Sequence, residues 1–143
     1  MTLIVDAAPL VALGDARDRL HAVVGDVLRA ERGDLIVPAP VSAEVDYLIR
    51  CRGSAAAARA FLGDVAAGRF RVEGLTADEH VTVARLDEQY GDLDLGLADL
   101  SVVVLAHRFR TKRLLTFDER DFRAVTPVGG GSFTLLPWDG TSI

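Results

Sequence analysis

Four carboxylates in this chain stand where oxygen ligands would be wanted, and they are spread over most of its length. Asp6 directly follows the apolar run Leu3-Ile4-Val5. Asp118 follows Leu114-Leu115-Thr116-Phe117. Glu44 falls in the first turn of a helical stretch from about Val41 to Arg50, and Asp99 in the first turn of another from Leu97 to Phe109. Taken singly, each has an ordinary role. An aspartate after a strand is a turn or cap residue, and an acid in a first helical turn complements the helix dipole. Gathered at one place they would repel, each close pair costing up to about 4 kcal/mol at an effective dielectric of about 20. Folding has no reason to accept that repulsion. A hard divalent cation does, because Mg²⁺ and Mn²⁺ take oxygen ligands. No rival set of groups competes: Cys51 is the single cysteine, and His21, His80 and His107 fall in predicted helices with no shared spacing, as surface or boundary residues do.

Whether the four acids meet depends on the elements that carry them. Short apolar runs alternate with stretches of helical periodicity. Leu3 to Val5, Leu35 to Val37 (stopped by Pro38 and Pro40), Phe70 to Val72, Leu114 to Phe117 and Phe133 to Leu136 read as strands. Between them Leu10 to Leu13, Leu20 to Ala30, Val41 to Arg50, Ser54 to Val65, Thr76 to Tyr90 and Leu97 to Phe109 read as helices. Ser54 is placed to cap one of these, and Thr76 with Glu79 forms a capping-box pattern. Asp92 and Asp94, ahead of Asp99, read as turn and N-cap residues. The alternation predicts an α/β fold with a mostly parallel sheet. In such sheets ligands bind at the carboxyl ends of the strands. Asp6 and Asp118 lie at such ends. Glu44 sits on the flank of its helix's buried stripe (Val41, Val45, Leu48, Ile49), with Asp46 on the other flank, so all four acids can face one edge of the sheet.

The whole chain is consistent with this. Its 143 residues suit one domain, residues 1–143. Half are apolar and only 6% aromatic, as a sheet buried under helices requires. The net charge of −5 argues against tight non-specific binding of nucleic acid, and metal-neutralised acids would account for most of it. The 16 basic residues include one lysine, Lys112. No run is long enough to span a bilayer, no basic stretch precedes an apolar one at the N-terminus, and a lone cysteine suits a reducing compartment, so a cytoplasmic protein is expected.

Four stretches carry a resemblance over nearly the whole chain: Ile4-Val5-Asp6-Ala7-Ala8-Pro9-Leu10, Val41-Ser42-Ala43-Glu44-Val45, Gly96-Leu97-Ala98-Asp99-Leu100-Ser101 and Leu114-Leu115-Thr116-Phe117-Asp118-Glu119-Arg120-Asp121-Phe122. In order, spacing and flanking residues the set resembles the PIN-domain nucleases, and among them the VapC-type toxins of bacterial toxin–antitoxin pairs. The resemblance implies a three-layer PIN-like fold and a metal-dependent endoribonuclease. Its metal ligands would be Asp6, Glu44, Asp99 and Asp118, holding Mg²⁺ or Mn²⁺, with Thr116 as a nearby polar helper. It also implies an RNA substrate, a cognate antitoxin and a homodimer. The sequence departs from the family just after the first aspartate, where Ala7-Ala8-Pro9 offers no small polar side chain. Arg120 is the best placed substrate contact. Asp121 is either an auxiliary ligand or a cap. Arg108, Arg110, Lys112 and Arg113 either complement a helix end or form a phosphate track. Exposed apolar surface for assembly is expected on the helices after Glu44, at Tyr47, Phe61 and Leu62.

Other classes fit less well. A receiver-type phospho-acceptor domain needs paired acids after the first strand and a lysine at a late strand end, but Asp6 is alone and Lys112 precedes its strand. An aspartyl-nucleophile phosphatase needs a second aspartate where Ala8 stands. The main alternative is a catalytically silent PIN-like binding module, against which the intact acid set argues.

Overall fold

The structure, a computed structural model, describes residues 1–140. Five short strands form one sheet: β1 (Leu3–Val5), β2 (Leu35–Pro38), β3 (Arg71–Glu73), β4 (Arg113–Leu115) and β5 (Thr134–Leu136). Their order across the sheet is β3-β2-β1-β4-β5, and every pairing is parallel. Parallel neighbours need a crossover between them. The helices supply it: α1 (Ala7–Leu13), α2 (His21–Ala30), α3 (Ala39–Arg52), α4 (Ala55–Ala66), α5 (Ala77–Gln89), α6 (Gly96–Arg108) and α7 (Glu119–Ala124). The predicted α/β class, with a parallel sheet flanked by helices, is what the structure has.

β1 lies at the centre of the sheet and is buried along its whole length, as are Leu114 and Leu115 of β4. That explains why these strands read as unbroken apolar runs instead of alternating patterns. α6 packs on β1 and β2 and against α3 and α5. Its seven consecutive residues Leu100 to Ala106 are all buried, so it behaves as a core helix with no single wet face. Ser101 within that run turns its hydroxyl back to the Ala98 carbonyl (2.6 Å), which satisfies it locally.

Several boundaries differ from expectation, each for a local reason. α1 starts immediately after Asp6, with Pro9 inside its first turn, where the ring displaces no intrahelical bond. α3 likewise begins at Ala39 with Pro40 in its first turn, so Glu44 sits in the second turn. Ser54 accepts from the Ala57 N–H, and the Thr76–Glu79 capping box is complete in both directions. Asp94 does not cap α6. It adopts a left-handed conformation (φ 50°) at the end of a single 3₁₀ turn, Gly91–Leu93, and the residue before α6 is Leu95. α7 was not anticipated: it is six residues long with one buried apolar side chain, Phe122. Phe61 is buried (6% exposed) against Phe70, contrary to the expectation of a surface residue. With Ala58 it forms the inward face of α4, while Tyr47 and Leu62 are exposed as expected, at 65% and 46%.

Candidate active site

The strand order fixes where a ligand can be met. The chain leaves β1, builds β2 and β3 outward on one side, then returns to lay β4 and β5 on the other. The sense of progression reverses between β1 and β4, and the crevice outside their carboxyl ends is the topological switch point of the sheet. Asp6 immediately follows β1. Thr116 and Asp118 follow β4. The first and last of the four acids, 112 positions apart in sequence, are adjacent because their strands are.

Thr116 joins them. It is fully buried, its hydroxyl donates to Asp6 Oδ2 (2.7 Å), and its own Oγ1 accepts the Asp118 N–H (3.0 Å). The polar support that Ala7-Ala8-Pro9 lacks next to Asp6 is therefore supplied from the neighbouring strand. Asp118 caps α7, its Oδ1 accepting the Asp121 N–H (3.0 Å). Asp99, in the first turn of α6, completes the group. Carboxylate oxygens of Asp99, Asp118 and Asp121 all lie within 4.8 Å of one another. Of the two roles open to Asp121, the cap belongs to Asp118, with Asp121 only donating its backbone N–H to it, while the Asp121 carboxylate lies close to those of Asp99 and Asp118.

Electrostatics show the crowding. Burial pushes the Asp6 carboxyl above its ordinary range, offset in part by the Thr116 hydrogen bond and reinforced by the charges of Glu44 and Asp118. Asp99 is raised to about 7, first by burial and then by Asp6, Asp118, Glu44 and Asp121. Asp121 is raised by burial and by Asp118, with Arg120 acting in the opposite sense. Glu44 is exposed, outside the close trio but near enough for its charge to act on Asp6 and Asp99. Repulsion of this kind is relieved by protons or by a cation. The donors are carboxylate oxygens without nitrogen or sulfur, which suits a hard divalent ion better than zinc or copper.

The basic cluster at the end of α6 does not form a phosphate track as a whole. Arg108 donates to Glu79 Oε2 (2.9 Å), Glu73 Oε1 (2.9 Å) and the Gly74 carbonyl (2.5 Å), and its guanidinium stacks on Phe109. Arg113 pairs with Glu31 at 2.6 Å. Arg110 and Lys112 line a groove with His107 and Gly129, at the opposite end of α6 from Asp99. Arg120 and Arg123 are both exposed on the short helix that carries Asp121, and Arg123 is paired to Glu119 and Asp139. Sequence reasoning did not find the pairing of Phe117 with Trp138 (ring centroids 6.0 Å apart) next to Asp118. Its only signal was that each aromatic lies just past an apolar run.

No protein-family model matches the chain. The chain is 38% identical over 135 residues to Ribonuclease VapC26 of Mycobacterium tuberculosis, covering 94% of this chain and all of that protein. Its fold matches the crystal structure of Mycobacterium tuberculosis VapC20, a sarcin–ricin-loop-cleaving toxin. The TM-score is 0.76 at 20% identity, over 82% of this chain and 91% of the other. Among the described residues no helix is long and apolar enough to cross a membrane. With acids at the switch point of a parallel sheet, and end-to-end identity to a ribonuclease of that name, the chain belongs to the VapC ribonucleases, the PIN-domain toxins of toxin–antitoxin pairs.

Proposed function

We propose that the chain is an Mg²⁺-dependent endoribonuclease, Mn²⁺ substituting, with Asp6, Glu44, Asp99 and Asp118 as its metal-binding acids and Asp121 joining them. One observation carries this. Three carboxylates lie within 4.8 Å of one another beside a fourth, buried one, at the switch point of the sheet. A divalent cation held there lowers the pKa of water and offsets charge on the scissile phosphate. The protein's own part is to hold the acids. Thr116 orients the Asp6 carboxylate through a 2.7 Å bond to Oδ2, and the Ala7 backbone N–H also bonds to that carboxylate. α7 turns Asp118 and Asp121 toward Asp99. α6 presents Asp99 from a largely buried, rigid helix, so the carboxylate does not swing with a loop. Arg120 is the exposed cation next to the acids and is suited to a substrate phosphate. Bond breaking follows hydrolysis by an activated water, with no side chain of the chain acting as nucleophile.

The biological setting proposed is a cytoplasmic toxin, silenced by a cognate antitoxin and assembled as a homodimer. Exposed Tyr47 and Leu62 on adjacent helices α3 and α4 offer apolar surface for that assembly. The test of the catalytic reading is cleavage of bulk cellular RNA by purified protein. Cleavage should require Mg²⁺ or Mn²⁺, stop in EDTA and return on adding excess metal. Undiminished cleavage in EDTA would overturn the assignment, and no cleavage with either metal would favour a silent binding module.

A further inference from the structure

The only tryptophan of the chain, Trp138, stands just past β5 with 39% of its surface exposed. Strand pairing sets its place. The Thr116 N–H donates to the Leu136 carbonyl (3.0 Å), so β4 and β5 end side by side. Phe117 and Trp138 follow those two strand ends, with ring centroids 6.0 Å apart and planes tilted by 54°. Phe117 is the residue between Thr116 and Asp118. The indole thus lies on the same pole of the sheet as the acids, one strand over.

The turn that carries it is tied down. The Asp139 N–H donates to the Leu135 carbonyl (2.6 Å), and Asp139 Oδ2 accepts the Leu135 N–H (2.7 Å). Arg123 grips Asp139 Oδ1 (2.6 Å) and Glu119 Oε1 (2.8 Å). Arg123 lies on α7, two residues beyond Asp121 and on the helix capped by Asp118. The same ties therefore hold the indole and two of the acids in one frame. A large aromatic left partly in water, and prevented from folding away, is a surface for something flat. Single-stranded RNA is gripped by this combination, aromatic faces taking unstacked bases while nearby cations take phosphates.

We propose that Trp138, backed by Phe117 and on the same pole of the sheet as Arg120 of α7, is a base-stacking platform that seats a nucleotide of single-stranded RNA next to the acids. The proposal rests on the ribonuclease reading above, and its test keeps the two apart. Because Trp138 is the sole tryptophan, fluorescence excited selectively at tryptophan, away from Tyr47 and Tyr90, reports on it alone. A single-stranded RNA of about 12 nucleotides, titrated into the Asp99→Asn protein in Mg²⁺ buffer, should quench that fluorescence saturably. A fully paired hairpin should not. Trp138→Ala should weaken binding of the same RNA, labelled and followed by anisotropy, about 5- to 100-fold, with the cleavage defect in KM more than kcat. Trp138→Phe should recover most of the affinity. If wild-type protein cleaves RNA while quenching is absent and Trp138→Ala binds normally, the platform is wrong and the nuclease reading stands. If RNA quenches but nothing is cleaved with either metal, the nuclease reading fails and the platform stands. A fluorescence change that follows protein concentration and ignores RNA would assign the indole to a protein interface and overturn the proposal.

Discussion

Replacing Asp99 by asparagine separates a functional acid from a structural one, because the two predict opposite signs. In the metal-free protein Asp99 titrates near 7 instead of its ordinary 3.8, pushed up by burial and by four neighbouring carboxylates. A group whose pKa is raised on folding stabilises the native state at pH below its unfolded value and loses that contribution as pH rises through the folded one. The window here runs from about 4 to about 7. Above it, folding must hold an unwanted charge. At about 1.4 kcal/mol per pKa unit the ceiling is about 4 kcal/mol. The carboxylate is only half-buried, so solvent screening brings the figure to about 1–2 kcal/mol. Asp99→Asn keeps the shape and removes the charge. In EDTA at pH 8 its melting temperature should therefore exceed that of the wild type by about 2–8 °C. At pH 4.5 the two should converge, since the wild-type acid is then protonated. Adding Mg²⁺ should reverse the order: binding to the native state alone contributes about 2.7 kcal/mol at one hundred times Kd, and the variant has lost a ligand. Circular dichroism melts at two pH values, with and without Mg²⁺, are sufficient. An Asp99→Asn protein that melts earlier than wild type in EDTA at pH 8, with no convergence at low pH, would show that Asp99 serves as scaffold and refute the reasoning.

Two further substitutions test other parts of the structure. Thr116→Val removes at once the donor to buried Asp6 and the acceptor of the Asp118 N–H. It should cost about 1–3 kcal/mol in a denaturant titration and weaken Mg²⁺-supported cleavage about 10- to 100-fold. Wild-type metal dependence in this variant would show that Asp6 needs no orienting partner. Arg108→Met should leave cleavage unchanged while costing about 1–2 kcal/mol of stability, because Arg108 ties α6 to Glu73 and Glu79 and lies at the far end of the helix from Asp99. Glu79, held at about 2 in the wild type mainly by Arg108, contributes stability that is lost as pH falls from about 4.5 through 2. The variant's melting curve should be flatter over that range, and a loss of cleavage at full folding would return Arg108 to the phosphate-track reading.

What could be read from the sequence were features written in neighbouring residues. Capping at Ser54 and Thr76 is decided within three positions, and the structure has both caps. Parallel strands buried on both faces must be apolar throughout, so Leu3-Ile4-Val5 and Leu114-Leu115 announced themselves, together with the acids that follow them. The grouping of Asp6, Glu44, Asp99 and Asp118 as one set rested on the family resemblance. Tertiary structure decided the rest. Only the pairing of β1 with β4 brings Asp6 to Thr116, since no local rule relates residues 110 positions apart. α7 is too short and too polar to show helical periodicity, and it exists because Asp118 caps it and Phe122 is buried against Phe133. The position of Asp121 beside Asp118 follows from that helix. Phe61 turned inward because Phe70 was there to meet it. Arg108 left the basic cluster because Glu73 and Glu79 reach it from β3 and α5. A charged or aromatic side chain is committed by whichever partner arrives in space, and sequence distance carries no record of that partner.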